Sequence, residues 1–161
     1  MNHFSLTAEK VKADTYKKME VTSALFNHHD FIPRRYTCDG KNVNPSLDLG
    51  QIPRKTASLA IIVDDPDAPV ETWVHWVMWN IPLTHRVEEN SAPGVQGIND
   101  FGKNIYSGPC PPKGTHRYFF KVYALDRTLD IPQTSGKGEL EKAMAGHIIG
   151  FGELIGLYRR D

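Results

Sequence analysis

Two short segments of the chain concentrate the side chains that could do chemistry. The first, DDPDAPVETWVHW at 64–76, combines carboxylates with a histidine, and the second, GPCPPKGTHRY at 108–118, combines a cysteine, a histidine and a tyrosine. A carboxylate beside an imidazole favours the charged ring, which donates hydrogen bonds, and a tyrosine hydroxyl is a further donor. These residue types therefore indicate recognition of a small anion, unless they serve catalysis.

Two aspartates and two histidines are also the ligands that a metal hydrolase gathers around an open site. No H-E-x-x-H or comparable short motif occurs, and the candidate ligands come from separated loops. A serine hydrolase has less support, because G-x-S-x-G is absent and only proximity to His116 suggests a base for Ser107. We expect a binding protein rather than an enzyme, with no catalytic residue, no metal and no cofactor.

Short apolar runs between prolines and glycines must position these side chains, and such runs predict strands. The runs are MEVTSALF, SLDLGQI, SLAIIVDD, WVHWVMWNI, HRYFFKVYAL and ELIGLYRR. LAIIV is apolar at every position and WVHWVMW is apolar on both alternating sets, a pattern typical of strands covered on both faces. We expect these two strands at the centre of a sheet.

Alternation along a strand assigns the histidines to faces. One face of the WVHWVMWN strand is predicted to carry the following residues: Trp73, His75, Val77 and Trp79. In HRYFFKVYAL, His116 shares a face with Tyr118. Each histidine also follows a proline-rich loop, and prolines stiffen such a loop into a stable pocket rim.

The segment GELEKAMAGHII has helical spacing instead. Five residues recur at i, i+3, i+4, i+7 and i+8 and define one helical face, namely Leu140, Ala143, Met144, His147 and Ile148. Ser135 or the glycines Gly136 and Gly138 are candidates to begin the helix, and Gly150 and Gly152 to end it. Strands with one clear helix predict a mainly β protein, a β-sandwich with a few peripheral helices.

We find no internal repeat or linker, so 1–161 is expected to form a single domain. Residues 1–20 form an N-terminal extension in which Thr7 could cap a helix. Apolar residues are too sparse there for a convincing buried face, so a docked helix and a loose tail both remain open.

The amino-acid composition narrows the classes of partner that we expect for this protein. The 19 lysines and arginines equal the 19 aspartates and glutamates, so no net field attracts nucleic acid or an anionic membrane. No apolar run approaches the roughly 20 residues of a membrane span, and the first residues lack the apolar stretch of a signal peptide. We expect a cytoplasmic protein whose two cysteines, Cys38 and Cys110, are reduced thiols.

Four stretches, YTCDGKNVNPSL, DPDAP, HW and GPCPPKGTHRY, resemble the phosphatidylethanolamine-binding protein family, specifically its bacterial and archaeal branch of Raf-kinase-inhibitor-like proteins. The similarity runs from about Val21 to Arg159, with the two central motifs in the order and spacing of that family. It implies the family's β-sandwich, with a large central sheet and a small cavity at one end for phosphate-like anions or phosphorylated headgroups. Inhibition or modulation of a kinase or protease is a further implied activity.

The resemblance also assigns residues and partners. On matching positions it implies a ligand-binding cavity formed by Asp65, His75, His116 and Tyr118, with Pro66, Asp67, Cys110 and Pro111 around its wall. Trp79 and Tyr106 are weaker candidates. The expected partners are a small anion or phosphorylated ligand and an unidentified protein target, without nucleic acid or integral membrane association.

Little sequence follows ELIGLYRR, whereas mammalian members of this family carry a C-terminal helix over the site. We therefore expect a more open mouth, or one covered by a second subunit, and a homodimer. The resemblance also places the loops of Cys38 and Cys110 near the cavity, where the two cysteines would be neighbours. Such a pair would make ligand binding sensitive to redox state.

Overall fold

The apolar runs form strands in the computed structural model, which describes residues 16–160. The strands are β1 (Lys17–Lys18), β2 (Glu20–Thr22), β3 (Asp30–Phe31), β4 (Leu47–Gly50), β5 (Ser58–Asp65), β6 (Trp73–Ile81), β7 (Arg86–Val87), β8 (Val95–Gln96), β9 (Gly114–Leu125) and β10 (Ile148–Arg160). The helix α1 spans Lys137–Met144. A mainly β fold with a peripheral helix is confirmed.

The strands form a large sheet and a small one. The large sheet has the order β1-β10-β9-β5-β6-β8, with β3 also paired to β10, and the small sheet has the order β2-β4-β7. The four long strands pair antiparallel. As predicted, β5 and β6 lie inside the sheet, and every residue of β5 is buried.

Both faces of the large sheet are covered, which explains the continuous apolar runs. On one face, Ile61 and Met78 pack with Leu49 and Val87 of the small sheet. The other face packs against α1 through an apolar cluster that includes the following residues: Ile62, Trp79, Leu140 and Met144. Burial on both sides makes the hydrophobic effect the main force that positions the strand ends.

The helix is shorter than its spacing predicts. Gly136 is its N-cap, as expected, and the Gly136 N–H donates to Glu139 Oε1 at 2.9 Å. At the other end Gly146 adopts a positive φ of 82°, a conformation that glycine accepts without strain and that turns the chain towards β10. The prediction that His147 and Ile148 continue the helix is therefore wrong, and so is termination at Gly150 or Gly152, because these glycines lie in β10.

The N-terminal extension is described only from residue 16 onwards. Lys17 and Lys18 form a strand that pairs parallel with β10, so a helix at these two positions is excluded. The remainder of the predicted extension, 1–15, lies outside the described residues. Within 16–160, no helix is long and apolar enough to cross a membrane.

Candidate functional site

A cavity of about 200 Å³ lies where β5 ends and its neighbours β6 and β9 begin. The antiparallel pairing brings these three strand termini together at one end of the sheet. The cavity is lined by Asp65, Ala68, Pro69, Trp73, His75, Phe101, Cys110, Pro111, Pro112, His116 and Tyr118. Of the eight residues assigned to the cavity and its wall, only Pro66 and Asp67 are missing from this lining.

Asp65 orients His116 in the wall of the cavity. His116 Nδ1 lies 2.7 Å from Asp65 Oδ2, and the two side chains are only 10% and 5% exposed. The other carboxylate oxygen accepts the Asp67 N–H at 2.7 Å. Because Nδ1 is engaged by the carboxylate, Nε2 is the ring nitrogen of His116 that remains for a bound molecule.

An irregularity in β6 brings His75 into the same cavity wall as Asp65 and His116. In the pairing of β5 with β6, Val63 lies opposite Trp76 and Asp64 lies opposite Val74, so His75 is an extra residue in the ladder. Such a β-bulge interrupts the alternation of side chains. His75 consequently contacts the ring of Tyr118 edge-on, with ring centroids 5.3 Å apart.

The bulge corrects one prediction about faces. Strict alternation groups His75 with Val77 and Trp79, but both of these pack in the cluster against α1, together with Val74. Trp79 is fully buried there and does not line the cavity, so its assignment as a weaker candidate is wrong. Trp73, predicted on the face of His75, does line the cavity.

The environment of His75 favours the neutral ring. Its Nδ1 lies 2.6 Å from the carbonyl oxygen of Ser107, so the hydrogen on Nδ1 donates to that carbonyl. Burial lowers the pKa of His75, although the Ser107 carbonyl and the Asp65 carboxylate act in the opposite direction. Asp65 therefore pairs with His116, whereas Nδ1 of His75 is engaged by Ser107.

Tyr118 supplies a buried hydroxyl to the cavity wall, near the Asp65 carboxylate. The side chain is fully buried, and its oxygen has no hydrogen-bond partner within residues 16–160. Burial, followed by the nearby Asp65 carboxylate, raises the pKa of Tyr118 far above its usual value. The hydroxyl thus stays protonated and is a donor in the cavity wall.

Asp67 braces the rim from outside. Its carboxylate accepts two hydrogen bonds from the Arg117 guanidinium and one from the Arg117 N–H, each at 2.9 Å. These bonds lower the pKa of Asp67. The segment after β5 is thereby attached to β9, while Pro66 is exposed to solvent.

Asn99 organises the loop that carries Phe101 in the cavity wall, and Asn99 is not among the predicted site residues. Its Nδ2 donates to the Ile105 carbonyl at 2.8 Å and lies 3.2 Å from that of His75, and its Oδ1 accepts the N–H groups of Phe101 and Lys103. This places the Phe101 ring 5.4 Å from the His75 ring. A single asparagine in a glycine-rich loop carries no local signal that could have found it.

The cysteines are joined, so the expectation of reduced thiols is wrong for this structure. Cys38 and Cys110 form a disulfide with Cα atoms 5.4 Å apart, although 72 positions separate them in the chain. The contact arises because the Cys38 N–H donates to Pro109 O at 3.1 Å, which brings the two loops together. Local spacing cannot reveal such an approach.

Asp64 and the weaker candidate Tyr106 make their contacts outside the cavity. Asp64 accepts hydrogen bonds from Lys121 at 3.1 Å and Lys137 at 2.8 Å, away from the cavity lining. Tyr106 donates to the Tyr36 carbonyl at 2.7 Å and does not line the cavity. Across residues 16–160, no group of three or more histidine, cysteine, aspartate or glutamate side chains is arranged to hold a metal ion.

Comparison with known proteins adds an independent line of evidence. Residues 22–159 match the family model described as phosphatidylethanolamine-binding protein. A UPF0098 protein of Pyrococcus abyssi is 48% identical over 155 residues, covering 89% of this chain and 87% of the relative. A UPF0098 protein of Methanothermobacter thermautotrophicus is 47% identical over 150 residues, covering 88% of this chain and 99% of the relative.

Two crystal structures are similar to this chain over about nine tenths of its length. The Chlamydia trachomatis structure, described as that of a putative homologue of the phosphatidylethanolamine-binding proteins, superposes with a TM-score of 0.86 at 38% identity. It covers 90% of this chain and 99% of its own. Escherichia coli YbcL, described as a new member of the mammalian family, superposes with a TM-score of 0.83 at 30% identity, covering 89% and 99%.

Proposed function

Because the chain belongs to the phosphatidylethanolamine-binding protein family, we propose that its cavity binds a small phosphate-like anion, either free or as the headgroup of a phosphorylated molecule. A volume of about 200 Å³ is below the roughly 300 to 1,000 Å³ of sites for drug-sized ligands, so a compact group is the appropriate occupant.

The observation that carries this proposal is the unpartnered hydroxyl of Tyr118. A buried donor without an acceptor costs about 1 to 3 kcal/mol, so native structures rarely keep one. An anionic oxygen in the cavity would accept this hydrogen bond and recover that cost. Bonds to charged groups contribute about 1.5 to 3 kcal/mol each, enough to select an anion over a neutral group.

His75 and Tyr118 together specify the protonation state of the ligand. With its Nδ1 hydrogen donated to Ser107, neutral His75 presents Nε2 as an acceptor. Tyr118 donates and His75 accepts, so the complementary ligand has both a bare oxygen and an O–H group. A singly protonated phosphate monoester meets this requirement and is the major form below its second pKa of about 6, whereas sulfate has no proton to give.

Histidine ring NMR tests the proposal. Inorganic phosphate and phosphoethanolamine are expected to shift the ring signals of His75 and His116, while His147, whose Nδ1 is engaged by Asp126 at 3.0 Å outside the cavity lining, is an internal control. Sulfate at the same ionic strength should bind more weakly. If neither phosphate compound moves the signals of His75 or His116, the proposed function is wrong.

The proposed activity is binding without turnover. The alternative, hydrolysis by the same Asp65, His75 and His116 cluster, is tested in the phosphoethanolamine sample by following its phosphorus NMR signal. An unchanged signal is expected over many hours. Release of inorganic phosphate that disappears in a His116→Asn variant would instead establish a hydrolase.

A further inference from the structure

The Cys38–Cys110 disulfide forms part of the cavity wall. Cys110 lines the cavity directly, beside Pro111 and Pro112, and both cysteines are partly exposed. Because Cys38 is partly exposed but does not line the cavity, a small molecule approaches Cys38 from solvent. Exchange at a disulfide depends on access and on how well each sulfur leaves as a thiolate.

The charges around the two sulfurs differ. Arg160, near the end of β10, points Nη1 at Cys110 Sγ with a separation of 3.4 Å. Its Nη2 donates to Asp39 Oδ1 at 3.0 Å, and Asp39 is the residue after Cys38. A guanidinium favours a thiolate next to it, and the Arg160 guanidinium contacts the sulfur of Cys110. Cys110 is consequently the better leaving sulfur.

The loops do not depend on the disulfide alone for their position. The Cys38 N–H donates to Pro109 O at 3.1 Å, and the Gly108 N–H donates to Asn42 Oδ1 at 2.7 Å. These bonds join the same two loops on either side of the sulfur–sulfur bond. Opening the disulfide would therefore leave Cys110 in the cavity wall.

We propose that the Cys38–Cys110 disulfide is a site of exchange with small-molecule thiols, with Cys38 as the attacked sulfur and Cys110 as the leaving thiolate. The incoming thiol first loses its proton to solvent. Its sulfur then bonds to Cys38 Sγ, the bond between the two cysteine sulfurs breaks, and Cys110 Sγ keeps the electron pair as a thiolate beside Arg160. The product is a mixed disulfide on Cys38 and one free thiolate.

The released thiolate changes the cavity. A negative charge on Cys110 opposes an anion bound between His75 and His116, so phosphate affinity should fall when the exchange occurs. This consequence rests on the proposed function, but the exchange chemistry itself does not. The two are therefore measured separately.

Glutathione is the probe. The native protein is incubated with it, quenched with iodoacetamide and digested, and the two cysteines are distinguished by mass spectrometry. The adduct is expected on Cys38 and the alkyl group on Cys110, with a preference of about tenfold because exchange follows the acidity of the leaving thiol. An unreactive native disulfide, equal distribution, or the adduct mainly on Cys110 would each overturn the proposal.

Variants test the part played by Arg160. Arg160→Ala should reduce the preference towards equality, whereas Lys113→Ala, which removes an exposed positive charge three residues after Cys110, should keep it. An unchanged preference in Arg160→Ala would show that the guanidinium does not set the direction. Phosphate titration of the untreated protein tests the proposed function independently, since that binding needs no exchange.

Discussion

The Tyr118→Phe substitution removes one oxygen from the cavity wall, and we expect it to stabilise the unliganded protein. The Tyr118 hydroxyl is buried without a partner, a state that costs about 1 to 3 kcal/mol. The ring would keep its contacts with His75 and His116, at centroid distances of 5.3 and 6.4 Å. The free energy of unfolding should therefore rise by about 1 kcal/mol or more.

Urea denaturation and calorimetry measure this effect. For a chain of this length, each kcal/mol corresponds to a change in Tm of about 2 to 4 °C. The same variant should bind phosphate about 10- to 150-fold more weakly, because a hydrogen bond to a charged group contributes about 1.5 to 3 kcal/mol. Stability and binding thus change in opposite directions.

Tyr106→Phe is the matched control. Its hydroxyl is also buried, but it donates to Tyr36 O at 2.7 Å and lies outside the cavity lining. This variant should lose about 0.5 to 1.5 kcal/mol and keep its phosphate affinity. If Tyr118→Phe is destabilised to the same extent, the Tyr118 hydroxyl has an intramolecular partner. A stabilised Tyr118→Phe with unchanged phosphate affinity would remove the hydroxyl from the binding site.

Three further substitutions probe the surroundings of the site. Since burial lowers the pKa of His75, the unfolded chain binds a proton that the folded chain does not. The free energy of unfolding should therefore fall as the pH decreases below about 6.5, by at most about 1.4 kcal/mol per pH unit. Urea titrations at several pH values should show a shallower decline for His75→Gln than for the wild type. Asp64→Ala leaves Lys121 and Lys137 without their buried partner, so a loss of about 3 kcal/mol or more is expected, and a loss below 1 kcal/mol would mean that the lysines reach solvent. Gly108→Ala places a Cβ against the backbone oxygen of Tyr36, and the backbone shift that this requires should lower the free energy of unfolding by about 1 to 3 kcal/mol in denaturation experiments. Wild-type stability of this variant would show that the two loops move apart without a measurable cost.

Much of the fold follows from local pattern. The run LAIIV has no polar position, so its strand must be covered on both faces, and β5 lies inside the large sheet between β9 and β6. The helix was identified from its spacing, and Gly136 was among its expected starts. Its end was misplaced because Ile148 continues the apolar spacing while belonging to β10.

The arrangement of the site follows only in part from local sequence pattern. Alternation predicted the face of His116 and Tyr118 correctly, since β9 pairs with β5 in regular register there. It failed for His75, because the β-bulge inserts one residue and changes the face without any mark in the sequence. Motif resemblance assigned Asp65 to the cavity, but the choice of His116 as its partner required the strands to be placed side by side.

The sequence by itself determined which segments become strands and which residue types meet at their ends, because hydrophobic periodicity is a property of neighbouring positions. Tertiary structure alone decided the bulge at His75 and the organising role of Asn99, and it showed that Cys38 and Cys110, expected as neighbours from the resemblance, form a disulfide. Each depends on contacts between distant parts of the chain. The contacts that stabilise these features form only after the sheets have packed, so no local pattern encodes them.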